Sequence, residues 1–335
     1  MENIKVAVIG SGSWGMAIST VLADNGHDVN VWSFSEEEKN EINNEHITRF
    51  LPNITLSNNI KASNDIKEVV EGSKLVFHVT PSKFTRDVFK QYKDYVGDTP
   101  VIICSKGFEM KTLSTLDKVF IEEKPDIRLA AMSGPSFAVE VANHIPTAII
   151  FASEDEKILE EVPQLIVNKN LRLYKSKDIT GVEFAGGLKN IVAFCAGVCA
   201  ELNYGTNASS ALITRGLAEL ARLGVKMGAD RDTFYGLSGL GDLILTCSSD
   251  ESRNRRAGRL IGKGYSIEEA KKEIGQTIES IDNIEIAKKL AEKYNVDMPI
   301  VNAAYDTLFN GLSAADAANR LMTRSLKFEN DFDNK

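Results

Sequence analysis

The sequence predicts an α/β fold, in which an N-terminal doubly wound sheet is followed by an all-α C-terminal domain. Short β-branched runs alternate with helical patterns through the first half of the chain, and strand-like runs stop near residue 180. Strands that alternate with helices form parallel sheets with helices on both faces. A glycine-rich turn between the first strand and the first helix belongs to the same architecture.

Apolar runs predict six buried strands, at residues 5–10, 28–32, 75–80, 101–105, 129–133 and 147–152. The first helix is expected over 12–25, where Gly26 ends it as a C-cap would. We expect a sheet domain over 1–180, a helical domain over 181–326 and a frayed polar tail over 327–335.

Composition and charge narrow the class of protein. The 335 residues are 43% hydrophobic and 26% charged, with a formal net charge of −8. This charge excludes a global positive field for nucleic acid or anionic membranes. No apolar run is expected to reach the roughly 18 residues of a membrane span, and the early first strand leaves no room for a signal peptide. We therefore expect a cytoplasmic protein without membrane insertion.

Metal chemistry is not expected from the cysteines. The chain has four of them, too few for a disulfide framework at this length. Cys195 and Cys199 lie four residues apart in a helical pattern, and a metal site would need more ligands than this pair supplies. They are expected to be small buried hydrophobic residues.

The glycine-rich turn predicts a dinucleotide site. Residues 10–15 match G-x-G-x-x-G, follow a strand, open a helix and lead to a second strand within about thirty residues. Gly10 permits the tight turn, Gly12 lets the backbone approach a pyrophosphate, and Gly15 lets helix and strand pack closely. The helix N-terminus offers N–H groups to the phosphates. Domain 1–180 is therefore expected to be a Rossmann-type dinucleotide-binding domain.

The end of the second strand leaves the choice of cofactor open. An acidic residue there binds the ribose 2′-hydroxyl of NAD, and a basic residue accommodates the phosphate of NADP. The chain has Trp32-Ser33-Phe34-Ser35-Glu36. Glu36 is compatible with NAD, and equally with a solvated helix start.

Lys189 is the only charged residue between Glu183 and Glu201, in a stretch that is apolar on nearly every side. Such a stretch predicts a buried central helix. A charged lysine there costs several kcal/mol unless it is paired or faces a cleft, and burial alone favours the neutral amine that acid–base catalysis uses. Two interpretations stay open, a functional lysine and one that reaches solvent at the helix edge.

Three further polar segments follow strands or glycine bends. Lys106 follows a buried strand, so it is expected to face a ligand cleft. Residues 133–138 form a Gly-Pro turn that either binds an anion or is a plain turn. Residues 238–242 form a glycine-rich bend that delivers the carboxylate of Asp242. Residues 252–259 hold four arginines, which fit a phosphate clamp or a solvated basic helix face.

Together these segments resemble the NAD(P)-dependent glycerol-3-phosphate dehydrogenases of the bacterial type. The likeness extends from Val6 to about Leu321. The similar segments are GSGSWGMA at 10–17, FLPN at 50–53, SKG at 105–107, SGPSFAVEV at 133–141, GGLKN at 186–190, ALITRGLAELARLG at 211–224, GLGDLILTC at 239–247, SRNRRAG at 252–258 and MPI at 298–300.

The resemblance implies reversible reduction of dihydroxyacetone phosphate to sn-glycerol 3-phosphate with NADH or NADPH, at the start of phospholipid synthesis. It implies that Lys189 is the catalytic acid and base. It implies substrate contacts from Lys106, Gly134, Ser136, Lys189, Asp242, Ser252, Arg253 and Asn254. Besides the turn glycines, it implies cofactor contacts from Ser13, Trp14, Lys106, Ala138, Arg253, Thr277 and Glu279. A homodimer stays open.

The chain departs from the family pattern at the cofactor turn. Phe34 and Ser35 occupy the positions where a His-Arg pair often holds the NADP phosphate, and Ser11 replaces a common alanine. Two alternative functions stay open, another two-domain dehydrogenase acting on a 3-hydroxyacyl or 2-hydroxymethyl acid, and a non-catalytic dinucleotide sensor. The arginine cluster favours a phosphorylated substrate, and Lys189 with Asp242 disfavours a sensor.

Overall fold

The structure is a computed structural model that describes residues 3–326 and 328–329. Of the expected tail, all but Phe328 and Glu329 lie outside the described residues. The chain divides into two compact units. The first comprises Met1–Glu109 and Ser114–Glu183, and the second comprises Met110–Leu113 and Phe184–Lys335.

The first unit is built on an eight-stranded sheet with the order β10-β9-β8-β5-β4-β1-β2-β3, beside a small hairpin of β6 and β7. The strands are β1 Lys5–Ile9, β2 Asp28–Trp32, β3 Ile60–Ser63, β4 Leu75–His78, β5 Val101–Ile103, β6 Phe108–Glu109, β7 Ser114–Thr115, β8 Leu129–Ser133, β9 Thr147–Ala152 and β10 Leu171–Ser176. All six predicted strands are present, and the doubly wound α/β fold is confirmed.

The pairing of β8 with β9 differs from the expected parallel sheet. These two strands are antiparallel, while every other neighbouring pair of the large sheet is parallel. A parallel connection usually needs a full crossover helix. The segment between β8 and β9 contains only a five-residue helix, Ala138–Ala142, which is too short to return the chain along the sheet.

Helices surround the sheet of the first unit and make up almost all of the second. They are α1 Ser13–Asp24, α2 Glu36–Asn40, α3 Ile66–Val70, α4 Thr85–Tyr92, α5 Leu116–Glu123, α6 Ala138–Ala142, α7 Glu156–Ile166, α8 Ile179–Glu201, α9 Gly205–Lys226, α10 Asp242–Ser248, α11 Arg253–Gly262, α12 Ile267–Ile274, α13 Glu279–Tyr294, α14 Pro299–Phe309 and α15 Ala314–Met322. Short π-helical or 3-10 turns lie at 41–45, 82–84, 231–235 and 237–241.

Alternating side chains of the central strands pack on opposite faces of the sheet. On β1, Val6 and Val8 belong to one apolar cluster, and Ala7 and Ile9 belong to the other. All four are fully buried. A strand covered on both faces carries a continuous apolar run, which explains why the sequence indicated β1 clearly.

Helix α8 corrects one expectation about apolar runs. Its 23 residues are long and apolar enough to cross a membrane by length and composition, whereas no such run was expected. However, 83% of its most apolar window is buried inside the protein. A helix that is apolar on all sides must be covered by the rest of the protein. Helix α8 therefore fits the buried central helix that the sequence predicted.

Glu219 of α9 is a buried carboxylate that the sequence did not single out. It accepts the backbone N–H groups of Ile300 and Val301 at the start of α14, with Ile300 N at 2.9 Å from Oε1. Burial raises the pKa of Glu219 to about 8, although those N–H groups and the nearby Arg222 lower it, and Asp297 adds to the increase. This carboxylate therefore joins α9 to α14 within the second unit.

The raised pKa of Glu219 predicts a pH dependence of stability. Between its ordinary pKa of 4.5 and about 8, the folded chain holds a proton that the unfolded chain releases. The free energy of unfolding should therefore decrease as the pH rises through this window, by up to about 1.4 kcal/mol per pH unit. Glu219→Gln keeps an oxygen acceptor but removes the titration, so its thermal unfolding midpoint should vary less between pH 5 and pH 8. The exposed change Glu292→Gln is the control, and parallel profiles for Glu219→Gln and the wild type would contradict the assignment.

Candidate functional site

The predicted dinucleotide turn lies between β1 and α1. Gly10 has a φ of +125°, and its N–H donates to the carbonyl of Trp32 on β2 at 3.1 Å. A Cβ at position 10 would lie 3.1 Å from the carbonyl oxygen of Val79. Glycine is therefore required by the backbone conformation, and the space beside β4 is tight as well.

Gly12 and Gly15 have different surroundings. A Cβ at Gly15 would overlap the carbonyl oxygen of Gly10, whereas a Cβ at Gly12 would have no described protein atom within 4 Å. Gly12 is the N-cap of the twelve-residue helix α1, so no side chain at this position occupies the helix N-terminus. Open space in front of a helix N-terminus suits a phosphate group. The residues of the turn therefore fit the pyrophosphate of a dinucleotide.

Alanine substitutions should separate the roles of these two glycines. Gly12→Ala adds a methyl group that no atom of the described residues opposes, so NADH affinity should fall about tenfold or more without a loss of stability. Gly15→Ala forces α1 away from β1, so both NADH affinity and the thermal midpoint should fall. Fluorescence titration with NADH and thermal unfolding measure the two effects. Equal unfolding midpoints for the two variants would show that Gly15 is not a packing position.

The strand ends of β5 and β8 bring three predicted substrate residues together within the first unit. Lys106 Nζ lies 3.5 Å from the carbonyl oxygen of Gly134, and Ser136 Oγ donates to the same oxygen at 3.0 Å. Gly134 has a φ of +149° and packs against Ile149 of β9. The segment at 133–138 is therefore a turn whose polar groups face Lys106. Ala138 begins α6 and packs against the same apolar cluster as Trp14.

Trp14 also connects the glycine turn to the end of β5. Its side chain lies near the thiol of Cys104, two residues before Lys106. Burial raises the pKa of that thiol to about 12, although Trp14 lowers it, so Cys104 acts as a buried packing residue and not as a nucleophile. Ser13 is the first residue of α1, beside Gly12 at the helix N-terminus.

The residues just after β2 form a helix cap, an ion pair and hydrogen bonds that the sequence did not indicate. Phe34 is 90% exposed, and the hydroxyl of Ser35 caps α2 by accepting the N–H of Glu38 at 3.3 Å. Glu36 pairs with Lys39 at the helix surface. Glu38, which the sequence analysis did not single out, accepts hydrogen bonds from the hydroxyls of Ser11 in the glycine turn and of Ser33 just after β2.

Lys189 is the centre of the polar group in the second unit. Its Nζ donates to Asp242 Oδ1 at 2.5 Å and to Thr246 Oγ1 at 2.7 Å. The side chains of Lys189 and Asp242 are only 7% and 2% exposed. The carboxylate offsets the cost of burying the ammonium charge. Lys189 is therefore a buried lysine that is paired with a carboxylate.

Helix α10 supplies both Asp242 and Thr246. The glycine bend predicted at 238–242 is a π-helical turn over Leu237–Gly241, and Asp242 begins α10 directly after it. Thr246 lies one helical turn later and donates to the backbone carbonyl of Asp242 at 2.6 Å. The sequence analysis missed Thr246, although its spacing of four residues from Asp242 places both on one face of α10.

Helix α13 joins the other predicted residues of the second unit to α8. Asn190 Nδ2 donates to Glu279 Oε2 at 2.8 Å, beside Lys189 in the sequence. Asn254 Oδ1 accepts the N–H of Ser280 at 2.9 Å, and Asn283 donates to the carbonyl of Gly187. The structure thus brings Glu279 and Asn254 into one hydrogen-bonded group with α8. Thr277 is exposed just before α13.

The arginine cluster divides into two parts. Ser252 caps α11 by accepting the N–H of Arg255, and Arg253 Nη1 lies 3.5 Å from Gln276 Oε1. Arg255 and Arg259 form ion pairs with Asp250, and Arg259 also pairs with Glu201. Two of the four arginines, Arg255 and Arg259, therefore hold α11 in place through ion pairs.

Helix α11 lies directly against α8. A Cβ at Gly258 would overlap the carbonyl oxygen of Phe194, and a Cβ at Gly197 would overlap the carbonyl oxygen of Arg255. These two glycines let the helix backbones approach closely. The position of Arg253 and Asn254 at the start of α11 therefore depends on this contact.

Within the described part of the chain, no three His, Cys, Asp or Glu side chains are grouped as metal ligands. Cys195 and Cys199 are half-buried free cysteines, and burial raises the pKa of both thiols. The thiols are therefore poor nucleophiles.

Comparisons with known proteins agree over both units. Residues 5–159 match the family model described as the NAD-dependent glycerol-3-phosphate dehydrogenase N-terminus, and residues 178–319 match the model for the C-terminus of the same family. The chain is 43% identical over 331 residues to a Fusobacterium nucleatum protein named glycerol-3-phosphate dehydrogenase [NAD(P)+], covering 97% of this chain and 98% of that one. A Bacillus cereus protein with the same name is 46% identical over 330 residues, covering 97% of each chain.

A solved structure has the same fold. The crystal structure of glycerol-3-phosphate dehydrogenase from Coxiella burnetii superposes with a TM-score of 0.93 at 36% identity, over 96% of this chain and 99% of that one. The family models together cover most of the chain, and the relatives cover nearly all of it. The chain belongs to the NAD-dependent glycerol-3-phosphate dehydrogenase family.

Proposed function

We propose that the chain is an NAD(P)-dependent glycerol-3-phosphate dehydrogenase that reversibly reduces dihydroxyacetone phosphate to sn-glycerol 3-phosphate. The observation that carries this proposal is the buried contact of Lys189 with Asp242 and Thr246. A carbonyl reduction needs one hydride and one proton. A buried lysine held by a carboxylate is a suitable proton donor, and a dinucleotide sensor has no use for one.

The nicotinamide cofactor, when bound, supplies the hydride to C2 of the substrate. As negative charge develops on the carbonyl oxygen, Lys189 Nζ donates a proton to it, so that the C2 hydroxyl forms. In the reverse direction the neutral amine of Lys189 accepts that proton. Asp242 stabilises the ammonium form before the transfer, and Thr246 fixes the direction of the amine through its bond to the backbone of Asp242.

The phosphate of the substrate is assigned to the start of α11. Arg253 and Asn254 are the first two residues of a ten-residue helix capped by Ser252. A helix N-terminus and a guanidinium both favour a phosphate dianion. Binding of the phosphate would supply energy that positions C2 for reaction.

The remaining predicted residues complete the proposal. Lys106 is assigned to orient the substrate, and the turn of Gly134 and Ser136 to contact it. The cofactor contacts are assigned to Gly10, Gly12, Ser13, Trp14, Gly15, Lys106, Ala138, Arg253, Thr277 and Glu279. In the cell, the reaction would take place in the cytoplasm and supply sn-glycerol 3-phosphate for glycerophospholipid synthesis.

Loss of the near-ultraviolet absorbance of NADH or NADPH tests this function against its rivals. The purified chain should oxidise reduced cofactor with dihydroxyacetone phosphate and form sn-glycerol 3-phosphate. Unphosphorylated dihydroxyacetone should give a kcat/KM lower by about 10²-fold or more, because the assigned phosphate contacts are lost. Activity only with a 3-oxoacyl or 2-formyl acid substrate would favour another two-domain dehydrogenase. Cofactor binding without any oxidation would favour a sensor.

A further inference from the structure

The carboxylate of Glu38, on α2, lies against the glycine turn. Glu38 Oε2 accepts hydrogen bonds from the hydroxyl of Ser11, inside the turn, and from Ser33 Oγ, at 2.9 Å, just after β2. Ser33 is fully buried and Ser11 nearly so. Among the described residues, the second oxygen of this carboxylate, Oε1, has no hydrogen-bond partner.

The neighbouring glutamates of α2 have other partners. Glu36 pairs with Lys39 at 2.5 Å, and Glu37 pairs with Arg49 at 3.0 Å. Arg49 in turn pairs with Glu41. Lys39 and Arg49, the cations of these ion pairs, thus interact with other glutamates than Glu38. The carboxylate of Glu38 is instead bound by the hydroxyls of Ser11 and Ser33.

Phe34 and Ser35, just after β2, carry no charge. Phe34 is 90% exposed, and the hydroxyl of Ser35 caps α2. In a dinucleotide fold, the region between the glycine turn and the end of β2 receives the adenosine ribose. A carboxylate there accepts a hydrogen bond from a 2′-hydroxyl and repels a 2′-phosphate.

We propose that Glu38 makes this chain select NAD(H) over NADP(H), a specificity that rests on the proposed function. Glu38 accepts the ribose 2′-hydroxyl of NADH and repels the 2′-phosphate of NADPH. Ser11 and Ser33 are positioning residues, because their hydroxyls hold the carboxylate toward the turn. This gives Ser11 a role that an alanine at the same position would not provide.

Nucleotide binding to the whole chain, in the absence of substrate, tests this inference. Fluorescence titration of the wild type should give a Kd for NADH at least about tenfold lower than for NADPH, since specificity here combines an attraction and a repulsion. Displacement of NADH by 5′-AMP should be stronger than by 2′,5′-ADP, which differs from 5′-AMP only by the added 2′-phosphate. Glu38→Gln should lower the Kd for NADPH and shift the NADPH-to-NADH preference by about tenfold.

Matched variants distinguish Glu38 from its neighbours. Glu36→Gln removes the same charge from the same helix and should leave the preference unchanged. Ser11→Ala should shift the preference in the direction of Glu38→Gln but less, because the charge stays while its orientation is lost. Replacing Phe34 and Ser35 with His and Arg in the Glu38→Gln background should increase NADPH affinity further, and more than in the wild type.

The outcomes separate this inference from the proposed function. A wild type that binds NADPH as tightly as NADH, or a Glu36→Gln shift as large as that of Glu38→Gln, would overturn the role of Glu38. Neither result would affect the reduction of dihydroxyacetone phosphate. If neither nucleotide binds the folded wild type, the proposed function itself is wrong. Circular dichroism of each variant shows that its fold is retained, and the wild-type competition by 5′-AMP and 2′,5′-ADP needs no variant.

Discussion

Replacing Lys189 with alanine is expected to lower kcat for the reduction of dihydroxyacetone phosphate by about 10³-fold or more, while NADH still binds. General acid catalysis contributes about 10²–10⁴-fold, and Lys189 is the proposed donor. Lys189 is assigned to the substrate and is not one of the assigned cofactor contacts. Cofactor affinity measured by fluorescence should therefore change little. Initial rates with saturating NADH provide the test, and near-normal turnover would show that another group supplies the proton.

Loss of stability must be separated from loss of the proton donor. Lys189→Ala leaves the carboxylate of Asp242 buried without its cation, and breaking a buried ion pair costs about 3–5 kcal/mol. The double variant Lys189→Met with Asp242→Asn removes both charges and keeps similar volumes. It should recover most of the thermal stability and remain inactive. Recovery of activity together with stability would mean that Lys189 is structural.

Replacing Gly258 with alanine is expected to lower kcat/KM for dihydroxyacetone phosphate by roughly 10²-fold, because small displacements of positioning groups have effects of this size. The added methyl group would overlap the carbonyl oxygen of Phe194. Helix α11 must then move away from α8 and take Arg253 and Asn254 with it. Overpacking of this kind also costs about 1–3 kcal/mol of stability. Steady-state kinetics and thermal unfolding measure the two effects.

Gly262 offers a matched control on the same helix. A Cβ at position 262 would lie 3.0 Å from the Cβ of Glu201, a side-chain contact. Gly262→Ala should therefore cost less stability, and the start of α11 should keep its position. If Gly258→Ala and Gly262→Ala have equal effects on KM, the close approach of α11 and α8 does not position the phosphate contacts.

Much of the first unit could be predicted because its strands are buried on both faces and their apolar runs are continuous. Strands β8 and β9 begin and end at the predicted residues. Strand β10 was missed because it lies at the sheet edge, where of its residues only Leu171 is fully buried. Strand β3, at the other edge, has only four residues. Edge strands lack the apolar pattern that identifies central ones.

The polar group of the second unit was predictable only in parts. Lys189 and Asp242 each stood out, one as a charge in an apolar helix and one in a glycine bend. Their contact spans 53 residues of sequence and depends on how α8 and α10 pack. The spacing of Thr246 from Asp242 places both on one helix face, but only this contact shows that Lys189 binds there. Similarly, the sequence does not distinguish Glu36 from Glu38 in a run of three glutamates. The start of α2 at Glu36 decides which of them the serine hydroxyls bind.

Transfer of deuterium from reduced cofactor tests the central claim most directly. The wild-type chain is incubated with dihydroxyacetone phosphate and NADH that carries deuterium at both C4 positions of the nicotinamide. The product should be sn-glycerol 3-phosphate with one deuterium at C2, and Lys189→Ala should form it far more slowly under the same conditions. Glycerol 3-phosphate without deuterium at C2, or no glycerol 3-phosphate from a wild type that binds NADH, would contradict the account.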